Sequence, residues 1–128
     1  MEEPPPPSDP ELREALGISD DVTIHRVDLE GEGSSRFIRP DTVVIAPGDL
    51  VQFVARDHRP HLVRFPQAGL PGQLLEFLRR TAQDSPPPLV ERGARLVLTF
   101  DGAPEGRYPF LVEGDGGSAG GEIRVERP

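Results

Sequence analysis

Two histidines in one short loop are the residues of this sequence best suited to metal chemistry. His58 and His61 lie three residues apart around Pro60, and imidazole is the commonest protein ligand for transition metals. The two residues lie in a loop and not on a helix, so their spacing does not force both rings to the same side. We favour a structural role over a metal site: His61 caps a strand end and bonds a loop carbonyl, and His58 is solvated. The third histidine, His25, lies within a predicted strand, and we expect no ligand role for it.

The absence of two residue types excludes most other site chemistry. The chain has 128 residues and no Cys, so disulfides, iron–sulfur clusters and cysteine-ligated zinc or copper are excluded. All 14 basic residues are Arg, which excludes Schiff-base and phosphate-loop lysines. Ser118, His61 and Asp115 are the residue types of a hydrolytic triad, but no Gly-x-Ser-x-Gly segment accompanies them. The sequence therefore predicts that the protein is not an enzyme.

Charge and hydropathy narrow the class of partner. The formal net charge is −8, and it arises from residues 1–34, because residues 35–128 hold twelve residues of each sign. This acidity argues against binding to nucleic acid or to an anionic membrane surface. No apolar run approaches the roughly 18 residues of a membrane span, and the first residues do not resemble a secretory signal. We therefore expect a protein partner, and a cytoplasmic location if Met1 is native.

The elements that would position these residues are short and mainly β. Residues 1–20 are predicted to form an acidic, Pro-rich arm ending in a short helix at 8–17, in which Leu12 and Leu16 would dock. Residues 21–128 then show alternating apolar positions between turn residues, which is typical of strands. Pro47-Gly48-Asp49 is predicted to join antiparallel strands at 42–46 and 50–56. One helix is predicted at 73–82, and the Gly-rich stretch 114–121 is predicted to be a turn. The remaining predicted strands are 22–29, 61–65, 95–100, 106–113 and 121–126. The pattern predicts an all-β Greek-key β-sandwich of about seven to eight strands.

Several of these segments resemble the cupredoxins, the plastocyanin and azurin type of blue-copper protein. Residues 37–53, with Pro47-Gly48-Asp49 at their centre, are similar to the opening strands of that family. The segment Asp57 to Phe65 looks like the one that carries its first copper histidine, here His61. Tyr108-Pro109-Phe110 resembles the approach to its ligand loop. The resemblance covers residues 22–128 and implies extracytoplasmic location if a signal has been removed.

Most of the copper ligands implied by this resemblance are absent from the sequence. The family's cysteine falls on Val112, its second histidine on Asp115 and its methionine near Ala119, so that only His61 matches. Without a thiolate no type 1 copper site can form. We therefore predict a cupredoxin-like binding or structural module without a cofactor. The alternative is a copper or zinc site that is not blue, built from His58, His61 and Asp115, should the two loops meet as the resemblance implies.

Overall fold

The computed structural model describes residues 23–32, 35–114 and 117–127. Within them, a nine-residue helix and a 3-10 turn (Gln67–Gly69) lie between the fifth and sixth strands. The predicted arm and helix in residues 1–20, and Asp115, lie outside the described residues. The elements are β1 (Ile24–Glu32), β2 (Ser35–Arg39), β3 (Thr42–Ile45), β4 (Leu50–Ala55), β5 (Leu62–Arg64), α1 (Gly72–Arg80), β6 (Arg95–Thr99), β7 (Gly106–Gly114) and β8 (Gly117–Val125).

The eight strands form two four-stranded sheets. The first sheet has the order β2-β1-β4-β6 and the second has the order β3-β8-β7-β5. Pairing is antiparallel except for β1 with β4 and β3 with β8, which are parallel. The predicted all-β Greek-key sandwich with one inserted helix is therefore confirmed. No helix in the described part of the chain is long and apolar enough to cross a membrane.

The core lies between the sheets and is closed at one end by α1. Phe53 of the first sheet meets Phe110 of the second edge to face, with ring centroids 5.2 Å apart. Helix α1 adds Phe77, which stacks on Phe100 at 5.9 Å and contacts Tyr108 edge to face. Aromatic pairs of this geometry stabilise beyond the area they bury. Inward-facing alternation along each strand therefore produces one continuous core.

Tyr108 anchors a corner of the sandwich. Its side chain is fully buried, and its hydroxyl donates a hydrogen bond to the carbonyl of Pro104 at 2.8 Å. Burial raises the pKa of the Tyr108 phenol to about 12. The neutral phenol is therefore the form that the folded protein holds.

The predicted antiparallel pairing across Pro47-Gly48-Asp49 is wrong. Strand β3 belongs to the second sheet and β4 to the first, so this turn carries the chain from one sheet to the other. Gly48 adopts φ +97°, which side chains disfavour, and the Asp49 carboxylate accepts the Ala46 amide at 3.0 Å. The turn residues are those of a tight connection, but the sequence does not reveal which strands they join.

The predicted turn at 114–121 is also wrong over most of its length. Strand β8 begins at Gly117 and pairs with β7 as far as Gly106 opposite Val125. A Cβ atom on Gly121 would lie 2.4 Å from the Phe110 ring and 2.6 Å from the Asp41 carbonyl. Glycine is present here because Phe110 packs directly over the backbone of β8, and not because the chain turns.

The side chain of Gln83 substitutes for a neighbouring strand along the edge of the first sheet. Its amide nitrogen donates to the Thr99 carbonyl at 2.9 Å, and its amide oxygen accepts the Thr99 N–H at 2.7 Å. Gln83 is itself buried. Gln83, which follows α1, thus forms hydrogen bonds with both the N–H and the carbonyl of Thr99 at the outer edge of β6.

Candidate functional site

His61 is buried at one end of the sandwich. Its backbone forms an isolated bridge with Leu89, donating at 2.8 Å and accepting at 2.9 Å. Its side chain has an exposed fraction of 0%. The expected position at a strand end is correct, but the expected bond from the ring to a loop carbonyl is wrong. Both ring nitrogens instead meet charged side chains.

The ring of His61 lies between a carboxylate and a guanidinium. Nε2 is 2.6 Å from Oδ1 of Asp57, and Nδ1 contacts Nη1 of Arg36. A guanidinium only donates hydrogen bonds, so Nδ1 must be the acceptor and the ring proton must lie on Nε2. His61 is therefore neutral, and it joins a cation to an anion through one buried ring.

Asp57 is held ionised by the groups around it. Burial raises the pKa of this carboxyl, but hydrogen bonds from Gly31, His61 and Arg59 outweigh it and lower the pKa below 3.8. The Gly31 amide donates to Oδ2 at 2.8 Å, and the Arg59 amide donates to Oδ1 at 3.1 Å. The carboxylate is thus a fixed negative charge that matches the Arg36 guanidinium on the other side of the ring.

Arg36 ties three separate segments together at this end of the fold. It lies on β2 with an exposed fraction of 8%, and besides His61 it donates to the carbonyls of Pro60 and Gly114. A Cβ atom on Gly114 would lie 2.2 Å from the Pro60 carbonyl oxygen and 3.0 Å from Arg36 Nη2. Glycine at the end of β7 therefore allows the guanidinium to reach both the loop and the strand. Neither Arg36 nor Asp57 was predicted to be a site residue.

The described positions that match the family's other ligands carry hydrocarbon side chains. Val112 on β7 is fully buried and pairs with Val63 of β5 and with Ala119 of β8. His61 precedes Val63 by two residues, so its side chain, just before β5, points to the same inner side as that of Val63. The His61 loop and the end of β7 thus lie at the same end of the molecule, and Arg36 bridges them through Pro60 and Gly114.

The other histidines do not join this site. His58 is exposed in the bend that precedes His61. His25 lies on β1 beside the start of β4, where its Nε2 is 3.0 Å from Oδ2 of Asp49. Burial raises the pKa of Asp49, but hydrogen bonds from His25, Ala46 and Thr23 lower it further, to a net value below 3.8. Among the described residues, no group of three His, Asp or Glu side chains is placed to hold a metal ion.

Several solved structures have a similar fold. A plastocyanin from Dryopteris crassirhizoma matches with a TM-score of 0.59 and 20% identity over 79% of this chain and 99% of its own. A purple cupredoxin from Nitrosopumilus maritimus matches with 0.54 and 17% identity over 80% and 99%. The chain has the cupredoxin fold. No protein-family model and no curated protein matches its sequence.

The cupredoxin fold also occurs within larger proteins that this chain matches only in part. A copper-containing nitrite reductase from Thermus scotoductus matches with a TM-score of 0.53 and 21% identity over 81% of this chain. The match covers 22% of that enzyme, so this chain corresponds to about a fifth of its length. At these identities the likeness establishes the cupredoxin fold alone.

The residues of this cupredoxin fold do not fit a type 1 copper ion. The one retained imidazole has its Nδ1 lone pair directed at Arg36 and its Nε2 proton directed at Asp57. Val112 has no lone pair to donate, whereas a blue-copper site depends on a thiolate. A cation entering beside Nδ1 would also meet the positive charge of Arg36. At the end of the fold where the resemblance places copper, the Arg36 guanidinium holds the surrounding segments together.

Proposed function

We propose that the protein is a non-catalytic binding or structural module of the cupredoxin fold, in which the Arg36 guanidinium binds His61 in place of a metal ion. The observation that carries this proposal is the contact of Arg36 with Nδ1 of His61. The guanidinium bonds to the ring, to the loop carbonyl of Pro60 and to the strand carbonyl of Gly114. A metal ion that coordinated Nδ1 of His61 would have to displace the Arg36 bond to the ring and would then lie beside a guanidinium that the Pro60 and Gly114 carbonyls hold in place.

The same geometry supports the absence of catalysis at His61. An Asp–His pair can serve as a general base only when the second ring nitrogen reaches a substrate or a nucleophile. Here that nitrogen accepts a hydrogen bond from Arg36, and the ring is inaccessible to solvent. The hydroxyl that a triad would require, Ser118, lies on the exposed side of β8 opposite Glu113. His61 therefore acts within the structure and not on a ligand.

Calorimetric titration with Cu(II) and with Zn(II) tests this proposal against the alternative of a site that is not blue. We expect no stoichiometric binding at micromolar metal by the wild-type chain, and no intense blue absorption. Binding of one equivalent that is lost in His61→Ala would contradict the proposal and favour a site at His58, His61 and Asp115. Metal should be bound no more tightly by the surface control Arg107→Met than by the wild type.

Substitution of Arg36 isolates the role of the guanidinium in this experiment. In Arg36→Met the Nδ1 lone pair of His61 loses its cation, and we expect His61-dependent Cu(II) binding to increase relative to the wild type. Equal Cu(II) binding by the wild type and by Arg36→Met, lost from both in His61→Ala, would show that the guanidinium does not block the ring. That result would remove the basis of the proposal.

A further inference from the structure

Strand β3 forms an edge of the second sheet, and half of its backbone groups point away from that sheet. Its partner on one side is β8, and no described strand lies on its other side. Two β8 amides donate to the carbonyls of Asp41 and Ile45, at 2.8 Å and 2.9 Å. Hydrogen bonding alternates along a strand, so the N–H and the carbonyl of Thr42 and of Val44 point away from β8. These four groups are placed to bond a further strand.

The side chains of β3 are also suited to further pairing. Thr42 is exposed and Val44 has an exposed fraction of 49%, while the alternate residues point into the core. Both exposed residues are β-branched, the class that packs well between strands. Strand β3 itself contains no charged residue. The edges of the first sheet are better protected against pairing, because β2 carries the inward-pointing Arg36 and β6 bonds the Gln83 amide.

The first sheet leaves room for a strand beside β3. Its edge strand β2 has its main contact across the sandwich with β8, so the first sheet ends about one strand short of β3. Pro40 and Pro47 lie just outside β3 and limit the pairing to a short stretch. A strand added to β3 would therefore extend the second sheet without meeting the first.

We propose that β3 pairs antiparallel with β3 of a second copy of this chain, with Thr42 of each copy opposite Val44 of the other. All four outward backbone groups of each strand then bond the other copy. Each exposed threonine packs beside a valine across the twofold axis. Because the pairing uses the same edge of both copies, it closes at two chains. The pairing does not involve the Arg36–His61 contact and so stands apart from the function proposed above.

The available donors favour this register over its neighbours. If Thr42 lay opposite its own copy, Val44 would face Pro40, which has no N–H. If Val44 lay opposite its own copy, Thr42 would face Ala46, whose N–H already donates to the Asp49 carboxylate at 3.0 Å. Each of these two registers loses a hydrogen bond that the proposed one retains.

The charges beside β3 favour the same register. Arg124 of β8 lies beside Val44, with Arg107 of β7 next in the same row, and Glu122 lies beside Thr42. Val44 opposite its own copy would align two arginine rows, and Thr42 opposite its own copy would align two Glu122 side chains. In the proposed register the arginine row of one copy is in line with Glu122 of the other. Arg124 already pairs with Glu122 of its own strand at 2.6 Å, so these charges select the register and add little to the affinity.

The paired form should be a weak dimer. Two strands of four residues bury far less than the roughly 1,200 Å² of a stable interface, so the pairing belongs to the transient class. We expect a dissociation constant of about 0.1–1 mM. A dilute solution would then contain mainly single chains, and a concentrated one mainly dimers.

Sedimentation equilibrium of the full chain between about 0.02 and 1 mM tests the proposal. We expect the average mass to rise from that of one chain towards that of two. Val44→Glu places a carboxylate in line with Glu122 of the other copy and should weaken association at least about tenfold. Val90 is a matched control, since it has an exposed fraction of 55%, and Val90→Glu should associate like the wild type. If Val44→Glu does not fold, Val44→Pro removes only an N–H that β8 does not use.

Disulfide formation tests the register, because the chain contains no cysteine. Thr42→Cys and Val44→Cys are oxidised with diamide, each alone and as an equal mixture. Residues directly opposite have Cα atoms about 5.5 Å apart, within reach of a disulfide. Two copies of the same residue would be roughly 8 Å apart, which is too far. We expect the mixed disulfide to form at least about fivefold faster than either symmetric one.

Four results would contradict the proposal. The mass could stay that of one chain up to about 1 mM, or it could rise past two chains without a plateau. Association could be as strong in Val44→Glu as in the wild type, which would place the contact elsewhere on the surface. Finally, a symmetric disulfide could form as fast as the mixed one, which would exclude the register with Thr42 opposite Val44.

Discussion

Nη1 of Arg36 hydrogen-bonds to Nδ1 of His61, 25 residues further along the chain. The contact makes the two side chains depend on each other. Without the ring, the guanidinium would lose its nitrogen acceptor in a buried site. Without the guanidinium, the buried ring and Asp57 would lose the positive charge that balances them. The end of the sandwich is therefore held by a charge-balanced set of three side chains, and its stability can be measured.

Removal of the guanidinium should destabilise the fold strongly. We expect Arg36→Met to lower the free energy of unfolding by about 3 kcal/mol, because it leaves Asp57 without its buried counterion. His61→Phe should have an effect of similar size, and the double variant should lose less than the sum of the two. Urea denaturation measures all three. Arg107→Met, on an exposed position, should change stability by less than about 0.5 kcal/mol, and additive losses in the double variant would refute the coupling.

Asp57 should make the stability of the fold depend on pH in the acidic range. Its pKa lies below 3.8 in the folded state, so the unfolded chain binds the proton first as the pH falls. The stabilisation is therefore complete above the unfolded pKa and is lost as the pH falls towards the folded one. We expect Asp57→Asn to be less stable than the wild type near about pH 6, with the difference shrinking towards about pH 2. A difference between Asp57→Asn and the wild type that does not change with pH would contradict this, and Asp101→Asn serves as an exposed control.

Tyr108 should titrate as a single alkaline transition. It is the only tyrosine in the chain, and burial raises its pKa to about 12 from 10.0. Because the folded pKa is the higher one, the stabilisation is complete below pH 10.0 and is lost as the pH rises towards about 12. Phenolate absorbance should therefore appear near 12 in the folded protein and near 10 in urea. Tyr108→Phe should lose about 1 kcal/mol at neutral pH, and a folded-state transition near 10 would contradict the buried corner.

Two neighbouring glycines of β8 should respond differently to alanine. A Cβ atom on Gly121 would overlap the Phe110 ring and the Asp41 carbonyl, whereas on Gly120 it would meet nothing closer than 3.7 Å. We expect Gly121→Ala to lower the thermal midpoint, with a loss of about 2–3 kcal/mol, and Gly120→Ala to be nearly neutral. Thermal denaturation compares the two variants directly. Equal losses would show that flexibility, and not the packing of Phe110, explains the glycines.

Deletion of residues 1–7 should leave the fold intact. Met1 is the one apolar side chain in this stretch apart from its prolines, so it offers little surface to bury. We expect an unchanged thermal transition for the deletion variant. A transition at clearly lower temperature would place stabilising contacts in these residues. Scrambling residues 1–7 at constant composition controls for the loss of negative charge.

Alternation of apolar residues was enough to predict the sandwich, because inward positions must be apolar wherever two sheets face each other. It did not predict β2. In this strand Arg36 points inward and Phe37 is only partly buried, with the Arg39 guanidinium 5.4 Å from its ring centroid. The pattern is inverted because Arg36 finds three acceptors inside. Those acceptors belong to the loop at Pro60 and His61 and to the end of β7, which meet only in the folded chain.

The site was only partly predictable for the same reason. His61 was recognised as the one retained match to a ligand, and Val112 as the decisive departure, since both follow from residue type. The partners of His61 could not be read in this way, because a carboxylate four residues away and an arginine 25 residues away are common by chance. Period-two alternation from Ile38 back to Arg36 is the signal that would have placed the arginine inward.

The paired bonds between Gln83 and Thr99 bear on self-association. An unprotected outer strand offers its backbone as a template on which further molecules can polymerise. Here the Gln83 amide already bonds both the N–H and the carbonyl of Thr99. A strand of another molecule could pair with Thr99 only after displacing that amide. The segment between the fifth and sixth strands thus blocks strand addition at this one position of the sheet edge.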